Sequence, residues 1–300
     1  MRLLSSKEKS LFTVFNFKDN ARLVVFKNEI WLTLRAKLIT MSYNNILVEK
    51  SDALMRITIN RPKQLNALNA DTIAELSHAF KDGEQDNSVR TIIVTGSGDK
   101  AFVAGADIKE FAEFTVEEGK ELSRKGHQNL FNLIEELNTP VIAAINGYCL
   151  GGGLELAMAC HIRIASDNAM MGLPEVSLGV IPGYGGTQRL TQLVGKGKAL
   201  ELIMTAGMMK AEEAKEWGLV NHITFQKELI TMAEKIASKI ARNSPRAIGL
   251  AIEAVNAGQK DGVNGYDVEI EKFGESFGTA DFKEGTQAFL NKAKPNFTGA

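Results

Sequence analysis

The stretch Tyr148–Cys160, YCLGGGLELAMAC, places three consecutive glycines between an apolar strand and an apolar helical run. Val141–Cys149 is rich in apolar and β-branched residues, which is typical of a buried strand, and Glu155 comes soon after the glycines. Glycine lets a backbone approach a ligand closely, and the free N–H groups of the following helix favour negative charge. Taken alone, however, three glycines are explained most simply by a tight strand-to-helix turn.

A second stretch repeats this design. Ala101–Phe111, AFVAGADIKEF, contains an apolar strand, a turn of small residues around Gly105 and a helix predicted to begin near Asp107. Two such turns could aim two backbone N–H groups at one point, which is the requirement for an oxyanion hole. The repetition therefore favours a binding site over a purely structural turn.

Two glutamates complete the pattern. Glu155 falls in the first turn of the predicted helix, where compensation of the helix dipole is a sufficient explanation, worth about 0.3–1 kcal/mol. Glu175 follows Pro174 in GLPEVSLGVIPGYGGTQRL, a stretch in which we interpret Tyr184 and the glycines as elements of a loop or of a pocket. Both glutamates lie in apolar, glycine-rich surroundings, where a carboxylate is costly unless it has a task. Paired carboxylates can divide the duties of general base and general acid.

The stretches that contain these residues resemble those of the crotonase, or enoyl-CoA hydratase/isomerase, superfamily. The resemblance covers Met41–Ala300 and rests on RPKQLNALN, AFVAGADIKEF, NTPVIAAINGYCLGGGLELAMACHIRIAS, MGLPEVSLGVIPGYGGTQRL and AEEAKEWGLVNHI. It implies an α/β fold, a spiral of ββα units, with a helical C-terminal region that packs in a homotrimer, usually two trimers making a hexamer. The alternation of predicted strands and helices along the chain favours the same α/β class.

The resemblance also implies roles for individual residues. The N–H groups of Ala106 and Gly152 would form the oxyanion hole for the thioester of a trans-2-enoyl-CoA. Glu155 would help to activate a water and Glu175 would supply the proton to the α-carbon, giving a 3-hydroxyacyl-CoA in fatty-acid β-oxidation or short-chain acyl-CoA metabolism. No metal or redox cofactor is implied, and coenzyme A is part of the substrate. The residues expected at the CoA moiety are Ala104, Asp107, Ile108 and Lys109, with Lys63, Leu65 and Ala67 as weaker candidates.

Other functions stay open at this point. Enoyl-CoA isomerisation and branched-chain enoyl-CoA hydration use the same scaffold, although relatives that isomerise or decarboxylate often lack one of the two glutamates. An RNA-binding role is disfavoured because the 35 basic and 36 acidic residues nearly cancel. A serine hydrolase would need a serine and a histidine to converge, and no serine adjoins the three glycines.

The chain is predicted to have three parts. Residues 1–40 mix charged and apolar residues without a regular period, and we interpret them as an extension outside the fold, with Met41 as the functional start. Residues 41–235 are predicted to form the α/β core and residues 236–300 the helical region. No apolar run reaches the ~18 residues that span a bilayer, and Cys149 and Cys160 lack metal-ligand spacing, which suits a reducing compartment. We therefore expect a cytoplasmic protein, or one of the mitochondrial matrix if residues 1–40 are a transit peptide.

Overall fold

The structure, a computed structural model, describes residues 43–300 and two strands nearer the N-terminus, β1 (Phe12–Asn16) and β2 (Arg22–Phe26). These two strands pair antiparallel, with Phe12 opposite Phe26. The rest of the predicted extension at residues 1–40 lies outside the described residues, as does the proposed start at Met41. Its separation from the fold stays a prediction.

Short apolar strands alternate with helices from Tyr43 onwards. The strands are β3 (Ile46–Ser51), β4 (Leu54–Ile59), β5 (Thr91–Gly96), β6 (Ala101–Val103), β7 (Val141–Ile145), β8 (Tyr148–Leu150), β9 (Ile162–Ser166), β10 (Met170–Gly172), β11 (Met208–Lys210) and β12 (His222–Thr224). The helices are α1 (Ala70–Gln85), α2 (Val116–Gly126), α3 (Asn132–Glu136), α4 (Gly152–Ala159), α5 (Gly186–Thr205), α6 (Ala211–Glu216), α7 (Leu229–Ile240), α8 (Pro245–Ala257), α9 (Gly265–Ser276) and α10 (Ala280–Leu290).

These strands form two sheets. The larger sheet has the order β12-β9-β7-β5-β4-β3, in which the β3–β4 hairpin is antiparallel and the other pairs are parallel. The smaller sheet has the order β11-β10-β8-β6, with only β11 antiparallel to its neighbour. Because β6, β8 and β10 run in the same direction, their carboxyl ends lie side by side at one edge of the sheet. The segments after these three strands carry the predicted oxyanion-hole and acid/base residues.

The link between β7 and β8 differs from the sequence prediction. The sequence predicts one strand over Val141–Cys149, whereas the structure places β7 and β8 in different sheets, separated by Asn146 and Gly147. The Asn146 side chain donates to the carbonyls of Gly96 at 2.9 Å and Gly98 at 2.7 Å, and it accepts the Gly96 N–H at 3.2 Å. These bonds fix the chain where it crosses from one sheet to the other.

The prediction that a helix begins near Asp107 is also wrong. Only one turn of 3₁₀ helix, Ile108–Glu110, follows Asp107, and the next α-helix begins at Val116. There Thr115 is the N-cap and exchanges capping-box hydrogen bonds with Glu118, a local signal that outweighs the apolar pattern before it. The N-cap of α1 is Asn69, whose side chain accepts the Thr72 N–H at 3.0 Å.

Large apolar side chains, including those of Phe80, Phe102 and Phe131, are fully buried in the core. The C-terminal part is helical, as predicted, and the predicted boundary at residue 235 lies inside α7. The division into residues 41–235 and 236–300 stays a prediction. Among the residues that the structure describes, no helix combines the length and the apolar character needed to cross a bilayer.

Candidate active site

The three consecutive glycines meet different constraints. Gly151 has φ +50°, in the region that favours glycine. Gly153 packs against β6, and a Cβ there would overlap the carbonyl oxygen of Val103. Gly152 has neither constraint, because every atom near its Cβ position is at least 3.6 Å away. Helix α4 therefore starts directly against the backbone of β6, with Gly152 at its first position.

Two main-chain amides border one small space at the ends of β6 and β8. The N–H of Leu68 donates to the Gly105 carbonyl at 2.9 Å, and the N–H of Asp107 donates to the Leu68 carbonyl at 2.7 Å. The amide of Ala106, between Gly105 and Asp107 in the sequence, takes part in neither hydrogen bond. The amide of Gly152 precedes the first hydrogen bond of α4. Within residues 43–300, neither amide donates to a main-chain carbonyl. A Cβ on Gly152 would lie 3.7 Å from the nitrogen of Ala106.

Glu155 lies in the first turn of α4 and is buried, with 1% of its surface exposed. Its Oε1 accepts the N–H of Tyr184 at 2.7 Å and the N–H of Gly186 at 2.8 Å. Burial raises the pKa of Glu155 to about 7, although these two amides and the charge of Arg189 favour the ionised form. The Glu155 carboxyl is thus fixed in position and ionises near neutral pH.

Glu175 follows β10 and lies close to the glycine turn. Its Oε1 is 2.6 Å from the position that a Cβ on Gly151 would occupy, and its buried Oε2 has no hydrogen-bond partner among the described residues. Burial raises the pKa of Glu175 above its ordinary value, and the charge of Glu175 in turn raises the pKa of Glu155. The structure therefore brings together the two glutamates that the sequence pairs.

Arg189 is a residue of this site that the sequence analysis missed. Its buried guanidinium donates from Nη1 to the carbonyl of Tyr184 at 3.0 Å. Its Nη2 reaches Asn132 Oδ1 at 3.0 Å and Glu135 Oε2 at 2.6 Å. Arg189 thus holds the loop whose amides bind Glu155. An arginine in the GGTQRL motif, directly before Leu190 of the predicted helix, is the available signal, because a buried cation needs partners.

A cavity of about 480 Å³ connects these groups. Both glutamates line it, together with four of the other predicted site residues, Ala104, Ala106, Ile108 and Gly152. The remaining wall is mostly apolar and comes from α2 and the loops beside it. Its larger side chains are Phe111, Phe114, Val116, Leu122, Leu178, Val180, Ile181 and Tyr184.

Five of the predicted CoA-contacting residues are not part of the cavity wall, namely Asp107, Lys109, Lys63, Leu65 and Ala67. Asp107 forms an ion pair with Arg61 at 3.1 Å, and Lys109 is exposed on the 3₁₀ turn. The carbonyl of Leu65 accepts the N–H of Ala104 at 3.1 Å, so residues 63–67 adjoin the wall without forming it. Their contact with CoA stays a prediction.

The chain matches the family model described as enoyl-CoA hydratase/isomerase over residues 49–300. It belongs to the enoyl-CoA hydratase/isomerase family. It is 48% identical to the short-chain-enoyl-CoA hydratase of Clostridium acetobutylicum over 255 residues, which cover 85% of this chain and 97% of that protein. It is 47% identical to the crotonyl-CoA hydratase of Syntrophomonas wolfei over 258 residues, covering 86% and 99% of the two chains.

A crystal structure of enoyl-CoA hydratase from Bacillus anthracis shares the fold of this family member. The TM-score is 0.81 at 41% sequence identity, and the match covers 86% of this chain and all of the other. The membership predicted from the motifs is thus confirmed. The predicted fold class, a crotonase-like α/β architecture with a helical C-terminal region, is confirmed as well.

Because Gly152 and Gly153 meet different constraints, an added methyl group should lower the stability of the protein at one position and change it little at the other. Gly153→Ala should destabilise the protein by at least about 2 kcal/mol, because its Cβ forces α4 away from β6. Gly152→Ala, the matched control, should stay within about 1 kcal/mol of the wild type, since its Cβ makes only ordinary van der Waals contacts at 3.6 Å or more. Urea unfolding of both variants measures the difference, and equal stabilities would contradict this account of the turn.

The buried carboxyl of Glu155 predicts a pH-dependent loss of stability. The pKa of the Glu155 carboxyl is about 7 in the folded protein, against an ordinary value of 4.5, so between these pH values the group binds more protons in the folded state than in the unfolded state. The contribution of Glu155 to the free energy of unfolding therefore falls as pH rises from 4.5 to 7. The permanently neutral Glu155→Gln should exceed the wild type at pH 8 by on the order of 2–3 kcal/mol, with the difference shrinking towards pH 4.5.

Urea unfolding at pH 8 and pH 5 measures this difference. Glu216→Gln, at an exposed position of α6, controls for the chemical change itself. A Glu155→Gln variant that is less stable than the wild type at pH 8, or that differs from it equally at both pH values, would overturn the prediction.

Proposed function

We propose that this protein adds water across the conjugated double bond of a trans-2-enoyl-CoA to give a 3-hydroxyacyl-CoA. One observation carries the proposal: two main-chain amides without backbone acceptors, the buried carboxyl of Glu155 and the partly buried carboxyl of Glu175 border a single, mostly apolar cavity. Similar proteins are named short-chain-enoyl-CoA hydratase and crotonyl-CoA hydratase, which supports the same chemistry here. The substrate class is thus a short acyl-CoA thioester.

In the proposed complex, the thioester oxygen accepts the N–H groups of Ala106 and Gly152. Conjugation with the thioester makes the β-carbon electron-poor, and attack by water moves negative charge onto the thioester oxygen. Two donors already aimed at that oxygen stabilise the enolate-like transition state without reorganising. Loss of one such donor typically costs about 3–4 kcal/mol of transition-state stabilisation.

Glu155 and Glu175 have opposite roles in the proposed reaction. Glu155 takes a proton from water as its oxygen bonds to the β-carbon, and Glu175 gives a proton to the α-carbon. Two amide donors favour the ionised form of Glu155, whereas the unpartnered buried oxygen of Glu175 favours the protonated acid. The proton on Glu155 is then returned to Glu175 through water, so one water is added overall. No electron leaves the substrate, so the reaction requires no redox cofactor, and CoA enters as part of the substrate.

The presence of both carboxyls at one cavity favours hydration over isomerisation, which moves a proton within the substrate and adds no water. The proposal includes a place in β-oxidation or related short-chain acyl-CoA metabolism. It also includes a reducing compartment, the cytoplasm or the mitochondrial matrix, because Cys149 and Cys160 are both buried and free.

The proposal also includes assembly into trimers or hexamers. Helix α9 exposes four large apolar residues on one side, with 50–79% of their surfaces accessible: Tyr266, Ile270, Phe273 and Phe277. Their spacing of four, three and four residues forms a continuous stripe on the helix. Monomeric proteins rarely leave such a patch uncovered. Copies of this chain are the proposed cover.

Replacing either glutamate by glutamine should lower turnover strongly and leave acyl-CoA binding intact. Glu155→Gln and Glu175→Gln should each lower kcat by about 10²–10⁴-fold, because an amide fits the site but cannot exchange the proton. The assay is the loss of absorbance of the conjugated enoyl thioester, and the product mass distinguishes hydration from isomerisation. Glu216→Gln is the control at an exposed carboxyl. Near wild-type hydration by either site variant would refute the assigned pair.

A charge placed in the α9 stripe should dissociate the assembly. Phe273→Glu puts a carboxylate in the centre of the stripe, where burial against another copy becomes costly. Light scattering coupled to size-exclusion chromatography should give a trimer or hexamer for the wild type and a smaller species for the variant. Lys81→Glu, exposed on α1, is the control and should keep the wild-type mass. A wild-type monomer would refute the proposed assembly.

A further inference from the structure

Tyr184 forms the cavity wall nearest to the proposed reacting atoms. Its backbone N–H binds Glu155, and its ring carbon Cδ2 is 3.6 Å from the position of a Cβ on Gly152. The ring is buried, with 7% of the residue surface exposed, and it lines the cavity. The aromatic ring thus stands beside both the proposed oxyanion hole and the proposed base.

The other side of the ring is packed against the protein core. Tyr184 stacks on Phe131 with the ring centroids 4.6 Å apart and the planes 12° from parallel. A Cβ on Gly126 would overlap two carbons of the Tyr184 ring, so only a glycine leaves room for the ring at this point of α2. Neither Phe131 nor Gly126 lines the cavity. The tyrosine ring therefore separates the cavity from the core.

This wall cannot move aside easily. The N–H of Tyr184 is bound to Glu155, and its carbonyl accepts Arg189 Nη1 at 3.0 Å. Arg189 is itself held by Asn132 and Glu135 of α3, the helix that begins directly after Phe131. Backbone and ring are thus fixed by separate contacts.

An enoyl chain in the proposed complex extends beyond its β-carbon into a cavity that has the Tyr184 ring as one wall. The thioester oxygen lies at the two amides, and the α- and β-carbons lie between Glu155 and Glu175. Further carbons must enter what remains of the roughly 480 Å³ cavity between Tyr184 and the apolar side chains of α2. Each additional methylene then brings the chain closer to a ring that is held in place.

We propose that the Tyr184 ring closes the inner end of the acyl cavity and restricts the substrate to short enoyl chains. This inference rests on the proposed hydratase function and specifies its substrate. Tyr184 is a specificity-determining residue in this account, and the proton transfers belong to the two glutamates.

The test compares kcat/KM for crotonyl-CoA and trans-2-decenoyl-CoA in three proteins. The wild type should prefer crotonyl-CoA. In Tyr184→Ala the decenoyl-to-crotonyl ratio should rise at least about tenfold, because the truncated side chain opens the cavity towards Phe131 and Gly126. Tyr184→Phe keeps the ring and removes only the hydroxyl, so its ratio should stay within about twofold of the wild-type ratio.

A second variant and a second measurement cover other outcomes. If Tyr184→Ala does not fold, Tyr184→Leu should show a smaller rise in the same ratio. Dissociation constants for butyryl-CoA and decanoyl-CoA, saturated thioesters that cannot be hydrated, should change in the same direction. Folded variants with the wild-type ratios in both measurements would overturn the inference. A wild type that binds these thioesters but hydrates no enoyl-CoA would overturn the proposed function alone, and the binding ratios would still decide the role of Tyr184.

Discussion

The backbone contact between Gly153 and the carbonyl of Val103 sets the geometry of this site. Because Gly153 has no side chain, α4 begins directly against β6. The first amide of α4, at Gly152, then borders the same space as the amide of Ala106, three residues beyond the end of β6. The distance between the two donors is therefore fixed by main-chain packing. Such donors are preorganised, as electrostatic stabilisation of a transition state requires.

The carboxyls depend on the same sheet edge and on one loop. Glu155 follows β8 and Glu175 follows β10, so two neighbouring parallel strands deliver both acids to one side of the smaller sheet. The loop that carries Tyr184 then supplies two amides to Glu155, and Arg189 holds that loop from behind. Burying Glu155 opposes folding at neutral pH, and the same burial brings its pKa close to 7. The burial of Glu155 thus lowers the stability of the folded protein, and it gives the proposed base a pKa close to neutral pH, where general-base catalysis is most effective.

The sequence predicts the parts of this site that depend on local pattern. Apolar strands followed by small residues identify the α/β class, and Glu155 and Glu175 in their glycine-rich surroundings are two of the residues that line the cavity. The break at Asn146 is not predictable in this way, because that side chain binds Gly96 and Gly98, about 50 residues earlier in the chain. Arg189 is missed for the same reason, since its partners Asn132 and Glu135 are distant in sequence. Tyr184 is assigned to a loop or pocket from the sequence, but its stacking on the distant Phe131 is not predictable. The periodicity of apolar residues predicts which face of a helix or strand is buried, but it does not predict which distant side chain packs against that face.

The most direct test of the central claim is the C=O stretching frequency of an isotopically labelled enoyl thioester bound to the protein. Two amide donors should polarise the carbonyl, so the frequency should fall below its value in water. In Gly152→Ala, whose added Cβ would lie 3.7 Å from the second donor, it should return towards that value. A bound thioester whose carbonyl frequency equals that in water, in the wild type and the variant alike, would contradict the account.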